Sequence, residues 1–287
     1  MSQRTPTHKY TIEFDQSLWT NLVDVAGHGN IKQFIIQALT VALEAYTVKA
    51  IILCGGKGTG FRPFSIATPP VMLPIGYKPI IEYSIDLLRK HALTDIFLAV
   101  GYLREHIRTQ FSEHTIPEVN MRYVIEDKPL DTAGALLNVK AQHKSKFQTT
   151  FLVMNGDLVT NCNLTELLKF HRAVVDKSGV GSMFILKTEQ GGQVEIGDED
   201  EQVVRFAAGG KKNYTLTNAG IYVFEPEIFS YIEKDVSSLE KDVFPALAKD
   251  GVLYGYVPDT PVYWNHINSL EKYTQGWADF LAGKLNF

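Results

Sequence analysis

The chain has 287 residues, 45% hydrophobic and 21% charged, with 28 Lys plus Arg against 32 Asp plus Glu for a net charge of −4. That composition excludes a disordered polymer and a disulfide-stapled miniprotein, and the charge gives no bulk attraction to nucleic acid. Two cysteines, no apolar run in the first twenty residues and no stretch near the ~18 apolar residues of a membrane span set the expectation of a cytoplasmic protein of about two domains.

Residues 1–48 hold one strand-like run and then helical patterns. Lys9–Phe14 alternates with period two, placing Tyr10, Ile12 and Phe14 on one face. Asp15 or Gln16 opens a short helix with Leu18, Leu22 and Val25 on one side. Gly27-His28-Gly29 breaks it, and Asn30 caps a second helix striped by Phe34, Ile35, Ala38, Leu39 and Ala42. A lone strand needs a partner, most simply the same strand of a second chain. This order of elements resembles the ribbon-helix-helix family over residues 8–46. The resemblance implies paired strands, with Lys9, Thr11 and Glu13 facing outward towards DNA. Arg4, Lys9 and Lys32 stand against Glu13, Asp15, Asp24 and Glu44, a net −1 that suits phosphate poorly. DNA binding stays open, and the charge favours a homo-oligomer through residues 1–48.

From residue 49 to 287 strands alternate with helices. Strands are expected at Ala50–Leu53, Asp95–Val100, Arg122–Ile125 and Thr150–Asn155, with helices at Pro79–His91, Leu103–Phe111, Thr132–Ala141 and Leu164–Val174. Strands then dominate at Val180–Leu186, Gln193–Ile196, Val203–Phe206 and Thr217–Phe224. Helical patterns at Pro226–Ile232 and Glu240–Lys249, a strand at Leu253–Val257 and a helix from Leu270 complete the chain. This predicts an α/β domain with a mostly parallel mixed sheet covered on both faces. Its site belongs at the carboxyl ends of the strands, where the loops at Gly55, Pro129 and Asp157 fall.

The first of these loops reads Cys54-Gly55-Gly56-Lys57-Gly58-Thr59-Gly60-Phe61-Arg62-Pro63. Glycines there let backbone N–H groups approach phosphate oxygens. It is followed by Thr68-Pro69-Pro70-Val71-Met72-Leu73-Pro74, Lys78-Pro79-Ile80-Ile81-Glu82-Tyr83, Glu126-Asp127-Lys128-Pro129-Leu130-Asp131-Thr132-Ala133-Gly134, Asn155-Gly156-Asp157 and Asn218-Ala219-Gly220. Leu239-Glu240-Lys241-Asp242-Val243-Phe244-Pro245 and Tyr263-Trp264-Asn265-His266-Ile267 come last. Seven landmarks in order resemble the sugar-1-phosphate nucleotidyltransferases, the NDP-sugar pyrophosphorylases with a Rossmann-like fold. The Glu-x-x-Pro-Leu-x-Thr-Ala form is similar to the mannose-1-phosphate guanylyltransferases.

The resemblance implies attack of a sugar-1-phosphate on the α-phosphate of an NTP, releasing pyrophosphate. It places nucleotide contacts at Gly55, Gly56, Gly58, Thr59, Glu126, Asp131 and Thr132, and sugar contacts at Asn218 and Glu240. It places a divalent ion, Mg²⁺ or Mn²⁺, on Asp157 and the position of His266. The family's glycine loop carries Gly-Thr-Arg, and here Gly60 takes the place of the Arg. Its Pro-Lys pair reads Pro69-Pro70, its second metal aspartate is His266, and the glycine before Thr-Ala is Asp131. Its Phe-x-Glu-Lys-Pro becomes Phe206-Ala207-Ala208-Gly209-Gly210. Lys57 and Arg62 are the cations left for catalysis. The bland readings remain beside these: Lys57 and Arg62 as solvated loop charges, Glu240 as a helix N-terminal acid, Asn218 as a turn residue, His266 as a hydrogen-bonded structural histidine. Three functions are therefore weighed. One is a catalytically impaired nucleotidyltransferase-like protein that binds a nucleotide or nucleotide-sugar in a regulatory role. The second is an active divergent enzyme, and the third a ligand-sensing transcription regulator.

Overall fold

A computed structural model describes residues 11, 13–27, 30–111, 116–189, 192–197, 200–207 and 214–287. The chain divides into two compact units, Met1–Glu44 and Ala45–Phe287.

In the first unit, helix α1 (Gln16–Ala26) starts because the Asp15 carboxylate accepts the Leu18 N–H at 2.8 Å. It stops at Gly27, whose φ of +71° suits a residue without a Cβ. Helix α2 (Ile31–Thr47) follows, with the Phe34 N–H returning to the Asn30 carbonyl at 2.9 Å. Of the expected strand, Lys9, Tyr10 and Ile12 lie outside the described residues; Thr11, Glu13 and Phe14 belong to no regular element. The Phe14 and Trp19 rings meet at 6.5 Å. No residue of α1 is buried, and Leu18, Trp19, Val25, Ile36 and Leu39 are exposed.

The second unit begins with β1 (Lys49–Leu53), then β2 (Pro74–Ile75), β3 (Lys78–Pro79), α3 (Ile80–Lys90), β4 (Asp95–Val100), α4 (Arg104–Gln110) and β5 (Asn120–Ile125). Next come α5 (Asp131–Gln142), β6 (Phe151–Asn155), β7 (Leu158–Thr160), α6 (Leu164–Val175) and β8 (Gly181–Lys187). The chain continues through β9 (Val194–Ile196), β10 (Val203–Phe206), β11 (Leu216–Phe224), α7 (Phe244–Lys249), β12 (Leu253–Tyr256), β13 (Trp264–His266) and α8 (Leu270–Leu281).

The central sheet runs β10-β9-β11-β6-β1-β4-β5, with β8 joined to β11 and β12 to β8. Strands β6, β1, β4 and β5 are mutually parallel, as βαβ connections require, whereas β11 runs antiparallel to both β6 and β8. The period-two alternation of β1 sorts its side chains onto two cores. Ala50 and Ile52 pack with Ile81, Ile85 and Leu88 of α3, and Ile51 packs with Leu136 and Val139 of α5. Both faces are thus buried, which is why β1 reads as continuous hydrophobics. A third cluster, built on Phe61, Ile75, Ile80, Val159 and Ile267, lies beneath α8.

Two details depart from the expected elements. The segment 239–249 is not one helix: a π turn covers Leu239–Val243 before α7. The other is a short antiparallel pair, β7 with β13, which sets His266 opposite Leu158. Among the described residues no helix is long and apolar enough to cross a membrane.

Candidate functional site

The loops after β1, β5 and β6 surround a cleft of about 590 Å³. Its floor is the glycine loop, which leaves the sheet once the Cys54 N–H has reached the Ala99 carbonyl at 2.8 Å. A Cβ on Gly55 would stand 2.8 Å from the Glu126 carboxylate. A Cβ on Gly58, where φ is +57°, would stand 1.9 Å from the Pro70 ring. Pro70 therefore packs directly against the loop, and Gly58 is the residue that permits it.

One wall comes from the turn between β5 and α5. Glu126 is almost fully buried there, and burial pushes its carboxyl up to about 7 against the opposing pull of the Leu130 N–H. Asp131 opens α5 with φ at +61°, and its own carboxylate accepts the Thr132 N–H at 2.8 Å. The left-handed backbone gives a physical reason for the glycine that the resemblance expects at this position. The Thr132 hydroxyl donates to Glu240 at 2.9 Å, and the Ser238 hydroxyl donates to the same carboxylate oxygen at 2.9 Å.

The far wall is the turn between β6 and β7. The Gly156 N–H is fixed by the Leu53 carbonyl at 3.0 Å, and the Asp157 carbonyl accepts the Ile267 N–H at 2.8 Å. The strand pairing of β7 with β13 then brings His266 Nε2 within 3.2 Å of Asp157 Oδ1. Burial disfavours the imidazolium, but the Asp157 carboxylate outweighs it and holds the His266 pKa above its ordinary value.

Of the residues singled out in the sequence, Gly55, Gly56, Lys57, Gly58, Thr59, Glu126, Asp131, Thr132 and Asp157 line this one cleft. Glu240 and His266 stand behind it, tied to Thr132 and Asp157. Arg62 is exposed and is not part of the cleft lining. Asn218 is hydrogen-bonded within its own strand: its side chain accepts the Gly220 N–H at 2.9 Å and donates to the Tyr222 hydroxyl at 2.8 Å. The bonds stabilise the irregularity of β11 between Asn218 and Tyr222, which is the turn-type role. Ala208, Gly209 and Gly210 lie outside the described residues.

Val236 and Asn268 also line the cleft and carry no sequence signal. Asn268 matters most, because its carbonyl oxygen lies 2.6 Å from where a Cβ on Gly60 would sit. Asp157 and His266 could share a divalent ion, but among the described residues no cluster of three or more His, Cys, Asp or Glu gathers for one. One carboxylate and one imidazole fit a Mn²⁺ ion completed by ligand oxygens better than Mg²⁺, which prefers oxygen throughout.

Residues 49–282 match the family model described as nucleotidyl transferase. The chain is 30% identical over 249 residues to the mannose-1-phosphate guanylyltransferase of Mycobacterium tuberculosis, covering 84% of this chain and 67% of that protein. It is 30% identical to the mannose-1-phosphate guanyltransferase of Saccharomyces cerevisiae, covering 82% of this chain and 65% of the relative. It is equally 30% identical to the UTP–glucose-1-phosphate uridylyltransferase of Synechocystis, covering 83% of this chain and 64% of the relative. The chain thus spans about two thirds of the length of these curated relatives. The fold matches that of HddC from Yersinia pseudotuberculosis, solved in complex with GMP-PN, with a TM-score of 0.67 and 24% identity over 81% of this chain and 99% of that one.

Proposed function

Because the chain belongs to the nucleotidyl transferase family, we propose that its cleft binds a nucleotide or nucleotide-sugar and has lost most or all of the group-transfer chemistry, leaving a regulatory role. The observation that carries this reading is the packing at Gly60 and Pro70. Phosphoryl transfer depends on cations placed in advance around the phosphates. Here the Asn268 carbonyl stands against Gly60, and Pro70 stands against Gly58. At the two positions that the family resemblance gives to cations, Gly60 leaves room for a neighbouring carbonyl oxygen and Pro70 presents an apolar ring.

What remains suits binding. Gly55–Gly58, with Lys57, line the cleft, and glycines there let backbone N–H groups approach phosphate oxygens. Ionised Glu126 is an acceptor pair matched to the N1–H and N2–H₂ of guanine. That makes a guanine nucleotide the favoured occupant. A divalent ion, where present, would be held by Asp157 and His266 and would neutralise phosphate charge.

The test is direct. Purified protein is given each NTP with a panel of sugar-1-phosphates and Mg²⁺ or Mn²⁺, and pyrophosphate is measured alongside calorimetry. Binding worth about 4 to 8 kcal/mol without pyrophosphate release is expected. Turnover in the usual range of about 1 to 1000 per second replaces this reading with an active enzyme.

For the first unit we propose self-association. Helices α1 and α2 leave Leu18, Trp19, Val25, Ile36 and Leu39 exposed, and Asp24 is the single charge of α1. A second copy brings an identical apolar face, whereas the net −1 of residues 1–48 opposes DNA.

A further inference from the structure

A second groove, of about 500 Å³, runs along the outer side of α5. Gly134, Leu137, Asn138 and Ala141 form one wall at helical spacing, and Asp235 belongs to the other. The two walls are fixed to each other. The Ser237 carbonyl accepts both the Ala133 and the Gly134 N–H, at 2.9 and 3.1 Å. A Cβ on Gly134 would come 2.1 Å from the Asp235 carbonyl oxygen, so the two backbones are in close contact there.

The charges lining this groove are unbalanced. Lys128 lines it from the turn before α5, Lys140 from the last turn of α5 and Lys144 from the short 3₁₀ turn just past that helix, against the single carboxylate of Asp235. None of the three lysines has an ion-pair partner among the described residues. The Lys140 ammonium is held over the Phe229 ring, 4.3 Å from its centroid, which limits its freedom. Leu137 and Ala141 offer an apolar surface in the same groove. The groove also touches the glycine-loop cleft through a shared residue, because Leu130 lines both. The next residue, Asp131, has the left-handed backbone and itself lines the cleft.

We propose that this groove is a second site, for a phosphorylated small molecule, and that its occupancy changes ligand affinity in the glycine-loop cleft through Leu130. The phosphate is met by Lys140 and Lys144, and the body of the ligand lies along Leu137 and Ala141 towards Lys128. A groove of this volume suits a ligand of nucleotide size.

Pyridoxal 5′-phosphate is the probe, since its aldehyde condenses with a lysine Nζ, losing water, where a neighbouring cation holds its phosphate. Borohydride then reduces the imine, and peptide mass spectrometry reads the position. Full-length Lys57→Arg protein is used so that the glycine loop cannot trap the reagent. Expected is modification of Lys140 or Lys144 about tenfold faster than of the exposed Lys90 and Lys249, suppressed by inorganic pyrophosphate, as one extra charge-assisted contact implies. The labelled protein should bind GTP, or whichever NTP the parent binds, with a Kd shifted about tenfold. Leu137→Glu, a groove-wall change checked for folding by circular dichroism, should abolish both effects. Labelling no faster than at Lys90 and Lys249 overturns the site. An unchanged Kd after labelling overturns the coupling. A parent that binds no NTP at all fails the functional proposal above, while the labelling pattern still decides this one.

Discussion

The carbonyl oxygen of Asn268 lies 2.6 Å from the point where a Cβ on Gly60 would begin. Asn268 is carried by the segment between β13 and α8, so a distant part of the chain occupies the space beside the glycine loop. Gly60 is thus an adapted position and not a vacancy that a side chain could refill.

Gly60→Arg should therefore fail to create a pyrophosphorylase. It should instead lower stability by about 1 to 3 kcal/mol, the usual cost of overpacking. Urea melts and pyrophosphate release are the readouts, and a working enzyme from this single change would show that Asn268 yields without cost.

His266→Asp should change the metal preference of the cleft. Wild-type protein with bound nucleotide should take Mn²⁺ in preference to Mg²⁺, and two facing carboxylates should narrow or reverse that order. Thermal shift against each ion checks it. The same Mn²⁺ preference in both proteins would remove His266 from the ion's surroundings.

Glu126 should make both stability and binding depend on pH. Its carboxyl is raised from 4.5 to about 7 by burial. An acid with a raised folded pKa binds its proton more tightly in the native state, so its contribution is full below the unfolded pKa and is lost as pH climbs to about 7. Wild type should lose about 2 to 3 kcal/mol relative to Glu126→Gln across that interval. Guanine nucleotide binding should run the opposite way, strengthening as the carboxylate ionises. Denaturant melts and calorimetry at about pH 4 and about pH 8, on either side of the interval, read the two trends.

Deleting residues 1–44 should lower the oligomeric state in light scattering while the second unit stays folded. The cut falls at Glu44 because Val48 is buried in the second unit's core. In the full chain, Leu18→Asp with Val25→Asp should do the same. Unchanged mass in the double variant would end the self-association reading.

The α/β alternation was legible because buried parallel strands such as Ala50–Leu53 leave continuous apolar runs and the helices between them keep a clean period. The glycine loop, Glu126 and Asp157 were legible because each follows closely on a strand, and Thr132 because it lies in the first turn of the helix after β5. Other features depend on contacts across the fold. The pairing of β7 with β13 involves three residues on each side, too few for a periodic signal. Asn268 and Val236 reach the cleft only through tertiary packing. Asn218 stands in a motif that implies a ligand contact, and within β11 its side chain also gives one donor to Tyr222 and one acceptor to Gly220, bonds that only the fold displays. Arg62 is two residues from Gly60 in sequence yet faces solvent, because the short 3₁₀ turn Thr59–Phe61 directs Phe61 into the core in its place.

Cys54 follows β1 as the first residue of the glycine loop and is buried, and Cys162 is buried as well. Burial leads the causes that push both thiols up, Cys162 to about 12, with Asp157 and Glu126 adding to the effect at Cys54. A thiolate is the reactive form, so neither sulfur should meet an electrophile while the native packing holds. Slow alkylation of Cys54 then becomes a clock for opening of the loop it begins. A ligand that settles on that loop should slow the clock, with the native Cys54 as the reporter and no residue engineered for it.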